Sequence, residues 1–187
     1  PLVRFAAVGD SPPTGAGGFV VVNPLLGASY VLKYDAFRLS AFLGVTVPVG
    51  GGGGDTPDAG SLRARSAGIF ARASMDNALF AVNDFTVTPG IGAAYVADGL
   101  TVQVETTLLQ LTRVRGDKAQ PEASKTNLTA GIHLGYFIVP VVSLGADLRY
   151  QYWINGPIAI EARRDLANDN SSIDNMTFAI GPRGHFK

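Results

Sequence analysis

The 187-residue chain contains no cysteine. That excludes a disulfide framework, thiolate catalysis and the usual cysteine-bearing zinc sites. An excess of charge of either sign is also missing, since fifteen Lys and Arg balance fifteen Asp and Glu. No basic field therefore argues for a nucleic-acid partner. Charged residues of both signs together make up only 16% of the chain, against roughly 25% in an ordinary soluble domain. Nor is there a run of the roughly 18 apolar residues that a transmembrane helix needs. Yet 47% of the residues are hydrophobic, so the apolar character is spread along the chain. The sequence starts at Pro1 with neither Met nor a signal peptide, and it reads as a processed form or an excerpt of a larger protein.

What is present is alternation. From Leu128 to Ile138 the even positions are Leu, Ala, Ile, Leu, Tyr and Ile, while Thr129, Gly131, His133, Gly135 and Phe137 fall between them. Val139-Pro140-Val141 reads as a three-residue turn. Beyond it Leu144, Ala146, Leu148, Tyr150 and Tyr152 share one face, and Ser143, Gly145, Asp147, Arg149 and Gln151 share the other. Strict period two is a strand signal, because successive side chains point to opposite faces. Each arm reaches the roughly 9–11 residues that a tilted strand needs to cross a bilayer.

The same rule holds over residues 25–34, 37–47, 85–97, 100–113 and 176–186, and residues 2–8 offer a short further candidate. Asp35-Ala36 and Asp98-Gly99 read as two-residue hairpin turns, the second matching the type I′ preference for positive φ. Asn23-Pro24, inside the extended run 19–34, predicts a bulge or an edge, since Pro has no ladder N–H. Gly50 to Gly60 reads as a flexible loop. Residues 61–83 lose the alternation and suit a weakly amphipathic helical insert ending before Asp84, or else ends that extend the flanking strands. Short turns at 35–36, 98–99 and 139–141 alternate with long segments at 49–84, 116–125 and 155–174. In a meander this puts all short turns at one end and all long loops at the other. The expected fold is therefore all-β. It is a single domain over 1–187, an antiparallel up-and-down transmembrane β-barrel with about eight strands and a loop insert at 50–84.

Which face meets lipid follows from the side chains. Tyr34, Phe37, Tyr95, Tyr136, Tyr150 and Tyr152 lie near strand ends on the apolar face, where an interfacial aromatic girdle would sit. The opposite face carries Arg38, Gln103, Glu105, His133, Asp147, Arg149 and Gln151, expected to line a lumen. Parity pairs His133 with Asp147 across the 139–141 turn, or with Arg149 if the turn shifts by one residue. A His opposite an Asp is half of a nucleophilic triad, but the strands offer it no identifiable serine, and a polar network through Arg149, Glu105, Gln103 and Asp147 is the plainer reading. No catalytic residue, metal or cofactor is expected. Asp165, Asn168, Asp169 and Asn170 lack the glycine and terminal Glu of a calcium loop.

The ~10-residue dyad strands, the girdle tyrosines and the turn asymmetry resemble the Gram-negative outer-membrane β-barrel superfamily over nearly the whole chain. The phrases MDNALFAVND (75–84) and LRYQYW (148–153) are similar to those of poorly characterised outer-membrane proteins. The chain ends in His185-Phe186-Lys187, one residue past the terminal aromatic that such barrels often carry. The resemblance implies the bacterial outer membrane as location. It implies the lipid bilayer as partner, and lipopolysaccharide as a further one. Arg63, Arg65 and Arg72 offer contacts to its phosphates or to a constriction, while charges that solubilise the loop are the plainer reading. Porin-like passive passage of small solutes through a polar lumen is the expected function. A non-conducting structural or surface-binding barrel, a soluble lipocalin-like carrier and, last, an outer-membrane hydrolase with an inward Ser beside His133 are the other fits. Arg introduced at Ile132 or Ala146 should cost roughly 2–4 kcal/mol if those positions meet mid-bilayer lipid. The check is the folded fraction of each variant in lipid vesicles, and wild-type assembly would reverse the assigned orientation.

Overall fold

The computed structural model describes residues 5–8, 17–71, 77–155 and 174–184. Nine strands follow the alternating segments: β1 (Phe5–Val8), β2 (Gly18–Val21), β3 (Leu25–Tyr34), β4 (Phe37–Thr46), β5 (Asp84–Ala97), β6 (Leu100–Arg113), β7 (Ser124–Val139), β8 (Val142–Asn155) and β9 (Asp174–Gly184). Helices α1 (Ala59–Ala71) and α2 (Asn77–Phe80) lie between β4 and β5 in the chain. Strands β3 to β9 form a seven-stranded sheet in sequence order, and β1 pairs antiparallel with β2 in a separate two-stranded sheet. The protein is thus mostly antiparallel β-structure, and among the described residues the sheet is not closed.

The turn chemistry accounts for the hairpins. Asp98 and Gly99 both have positive φ, at 51° and 79°, as a type I′ turn requires. Asp35 adopts φ 51° in the β3–β4 turn, a conformation that Asp tolerates better than most residues. Across the β4–β5 pair the Phe37 and Tyr95 rings meet edge to face, with centroids 5.4 Å apart. The β7–β8 turn is Pro140-Val141, one residue shorter than the three-residue turn expected from sequence, because β7 stays extended through Val139.

Three further expectations are corrected. About eight strands were expected in one sheet, but the N-terminal segment does not join it. The run 19–34 breaks outright at residues 22–24 instead of bulging, since the Asn23 N–H is spent on the Leu79 carbonyl (2.9 Å) and Pro24 has none to give. The glycine-rich stretch is not a free loop at its start. The Gly50 N–H donates to Asn23 Oδ1 (3.0 Å), the Gly54 N–H to Asn83 Oδ1 (2.8 Å), and Arg115 Nη2 donates to the Gly50 carbonyl (2.6 Å). These partners are distant in sequence, so glycine content alone did not reveal them.

The described residues fall into two compact units. The first is drawn from 1–27, 44–88 and 109–126, the second from 28–43, 89–108 and 127–187. In the first, Val20, Val22, Ala64, Leu79 and Phe80 form a buried apolar core, with Leu25 packed against it. Gly18 is required here, since a Cβ would collide with the Gly60 carbonyl. Asp58 caps α1 by accepting the Ser61 N–H (2.8 Å), and that hydrogen bond holds its carboxyl below the usual range. Arg65 reaches the Gly52 carbonyl (3.0 Å). Burial lowers its pKa from the ordinary value while Asp84 opposes the shift, so Arg65 is not among the surface charges of the insert. Arg72 lies outside the described residues.

A buried ion pair closes this unit. Lys125 Nζ lies 2.7 Å from Asp84 Oδ2, with 5% and 1% of the two side chains exposed, and Gln120 Nε2 donates to Asp84 Oδ1 (2.8 Å). Removing one partner strands the other charge away from water. Lys125→Met should therefore cost about 3–5 kcal/mol, whereas replacing both partners with apolar residues should recover most of it. Urea unfolding midpoints of the single and double variants check this.

Candidate functional site

The second unit reverses the usual distribution of side chains. Along β3, β4, β7 and β9 the large apolar residues are exposed: Tyr30, Leu39, Ile132, Tyr136, Phe178 and Ile180 are examples. All six aromatics assigned to a girdle are exposed, from Tyr34 at 82% to Tyr152 at 38%. The alternate positions on β7 and β8 are the sheltered ones, and they carry Asn127, Gly131, His133, Ser143, Gly145, Asp147, Gln151 and Trp153. Period two explains both sets. Once one residue of a strand is fixed, every second neighbour must share its surroundings.

On this sheltered face the register brings charged groups together. His133 Nδ1 and Asp147 Oδ1 are 2.8 Å apart, which joins β7 to β8. Arg183 of β9 donates from Nη2 to Asp147 Oδ2 (2.8 Å), and its Nη1 lies 3.5 Å from His133 Nε2. Nearby, Arg149 Nη2 lies 3.3 Å from Glu105 Oε1, while Gln103 Nε2 donates to Glu105 Oε2 (3.0 Å). Thr101, Gln103, Glu105, His133, Asp147, Arg149 and Arg183 line a cavity of about 330 Å³, together with Gly131 and Ile132. The lining has two guanidinium groups and two carboxylates, hence no net charge with His133 neutral.

Glycines make room for these long side chains. A Cβ at Gly145 would lie 3.3 Å from Arg183 Nε and 3.4 Å from His133 Cε1. One at Gly131 would lie 3.2 Å from Glu105 Cγ. The small residues of the polar face are thus floors under the charged ones.

Five of the seven polar residues singled out from sequence (Gln103, Glu105, His133, Asp147 and Arg149) meet at this cavity. The other two do not. Arg38 Nη1 donates to the carbonyls of Phe37 (2.8 Å) and Asp35 in its own turn. Gln151, 2% exposed, donates from Nε2 to Asn127 Oδ1 (3.0 Å). Arg183 was missed as a site residue. Its parity in β9 was visible, but the β8–β9 register that sets Ser143 opposite Arg183 and Asp147 opposite Ala179 depends on pairing across a long connection. Asp165, Asn168, Asp169, Asn170, His185 and Phe186 lie outside the described residues.

The hydrogen bonds assign the histidine tautomer. A carboxylate only accepts, so the Nδ1–H is donated to Asp147, and in the neutral imidazole this leaves Nε2 as the acceptor facing Arg183. This arrangement occupies the nitrogen from which a triad histidine would take a nucleophile's proton, and the cavity lining contains no serine. Searches against protein-family models, curated proteins and solved structures return no match. The tautomer is testable: ¹⁵N spectra of labelled protein near pH 8 should show His133 protonated at Nδ1, and Asp147→Asn or Arg183→Met should redistribute the proton between the two nitrogens.

Proposed function

We propose that this chain belongs to a Gram-negative outer-membrane β-barrel, and that small solutes pass passively along its polar, sheltered face. The observation that carries this reading is the inverted amphipathicity of the second unit, with large apolar side chains exposed on one face and ionised ones paired with each other on the other. In lipid, backbone polar groups must be satisfied within the protein, and a closed sheet with an apolar exterior achieves this. The exposed tyrosines near strand ends suit the headgroup level. A soluble lipocalin-like carrier needs its apolar face sheltered, so the exposure of that face counts against it.

The sheet has an unclosed parity that the proposal must meet. Seven antiparallel strands leave β3 and β9 running in the same direction. Bacterial single-chain barrels have an even number of antiparallel strands, so closure takes an odd number of strands beyond these seven. One more gives a small barrel filled by side chains, and five or more give room for an aqueous passage. The neutralised charge cluster supports a second reading, a non-conducting structural or surface-binding barrel, because narrow barrels fill their interiors with such pairs.

Planar-bilayer recording separates the two readings, with insertion established independently by heat-modifiable migration on a gel. Stable single-channel steps are expected for the passage reading. Confirmed insertion with a silent bilayer would leave the non-conducting barrel. Failure to insert, with a folded β-spectrum in water, would sink both.

A further inference from the structure

The charged cavity of the second unit holds one tightly bonded group and one loosely bonded pair, and this difference points to a ligand class. Around Asp147 each carboxylate oxygen has a close donor. Its Oδ1 takes the His133 Nδ1–H and its Oδ2 takes the Arg183 Nη2–H, both at 2.8 Å. At the Glu105 end the bonding is slack. The recorded partner of Arg149 is Glu105, through one contact at 3.3 Å, long for a charge-assisted bond. Both side chains are partly open to solvent, at 47% and 38%. A guanidinium has five N–H donors in a planar fork, so Arg149 retains a bidentate edge for a carboxylate.

We infer that Glu105 and Arg149 form a subsite for small zwitterionic solutes, the solute carboxylate bidentate on Arg149 and its ammonium on Glu105. This deepens the passage reading and rests on it. The lining is neutral overall, so a simple anion would leave Glu105 uncompensated and a simple cation would leave Arg149 so. A zwitterion satisfies both at once, replacing one long ion pair with two shorter charge-assisted contacts. A volume of about 330 Å³ is at the small end of ligand sites and suits a solute of amino-acid size. The Asp147–His133–Arg183 group is held by shorter contacts, so selection falls to the loosely bonded pair.

The test measures binding of γ-aminobutyrate to the refolded chain in detergent micelles by ligand-observed NMR. Butyrate, butylamine and a neutral polyol of similar size serve as comparison probes, and heat-modifiable migration establishes folding of every variant. Wild type should bind the zwitterion in preference to all three. Glu105→Gln should shift preference to butyrate and Arg149→Gln to butylamine. Arg149→Lys, which keeps the charge but loses the fork, should bind the zwitterion more weakly while holding it above the polyol. Equal binding of all four probes, or folded single variants with wild-type preference, would overturn the subsite. Conductance without zwitterion preference would leave passage standing and remove only the subsite. A silent bilayer with retained zwitterion binding would remove passage and recast the site as a surface receptor, contrary to the inference as stated.

Discussion

The rest of this structure depends on one constraint, the exposed apolar face of the second unit's sheet. Leaving Leu, Ile, Phe or Tyr in water forgoes about 1.5–3 kcal/mol of burial for each large side chain. The exposed row runs through β3, β4, β7 and β9 and is far longer than the scattered apolar residues of a soluble surface. A stable protein must have something apolar against that row, and the proposed bilayer is such a covering. Strand length, tyrosine placement and the exile of charge to the other face all follow from it. A strand cannot relieve the problem locally, because turning one apolar residue inward moves every charged neighbour outward.

The charged face meets its own constraint by pairing. Asp147 is held by two donors and Glu105 by two, so each carboxylate of the cavity has donors to hand. Glycine at 131 and 145 leaves the space these side chains occupy. A Cβ at either position would crowd Glu105 or Arg183, which would have to shift to make room. The neutrality of the cavity is thus built from local contacts, quite apart from the zero formal charge of the chain.

How much of this was legible in the sequence depends on distance along the chain. Face assignment was legible, since period two is a local property, and so were the Asp35-Ala36 and Asp98-Gly99 turns, whose φ preferences belong to two residues. The helical insert ending before Asp84 was legible for the same reason: alternation stopped at one place and resumed at another. Register across long connections was not. Arg183 reaches Asp147 only because β9 sets Ala179 opposite Asp147, and no local pattern fixes that pairing. The pinning of Gly50 and Gly54 needed Asn23, Asn83 and Arg115 together, each remote from the others. The burial of Arg65, read from sequence as a loop charge, was equally invisible.

The two units follow opposite solvation rules within one chain, and their ion pairs show what each rule permits. In the first unit Val20, Val22, Leu79 and Phe80 are inside, as in any water-soluble core, and the Asp84–Lys125 pair is almost fully buried. Such a pair has no water to compete with it and exchanges with nothing, so it fixes geometry. In the second unit the apolar side chains are outside and the Glu105–Arg149 pair is about half open, with a longer contact. Water screens that pair and can replace either partner, so it contributes little to stability. A charge pair that stabilises little can separate at little cost, which suits it to meet passing solutes, whereas breaking the buried pair would loosen the unit that carries the insert.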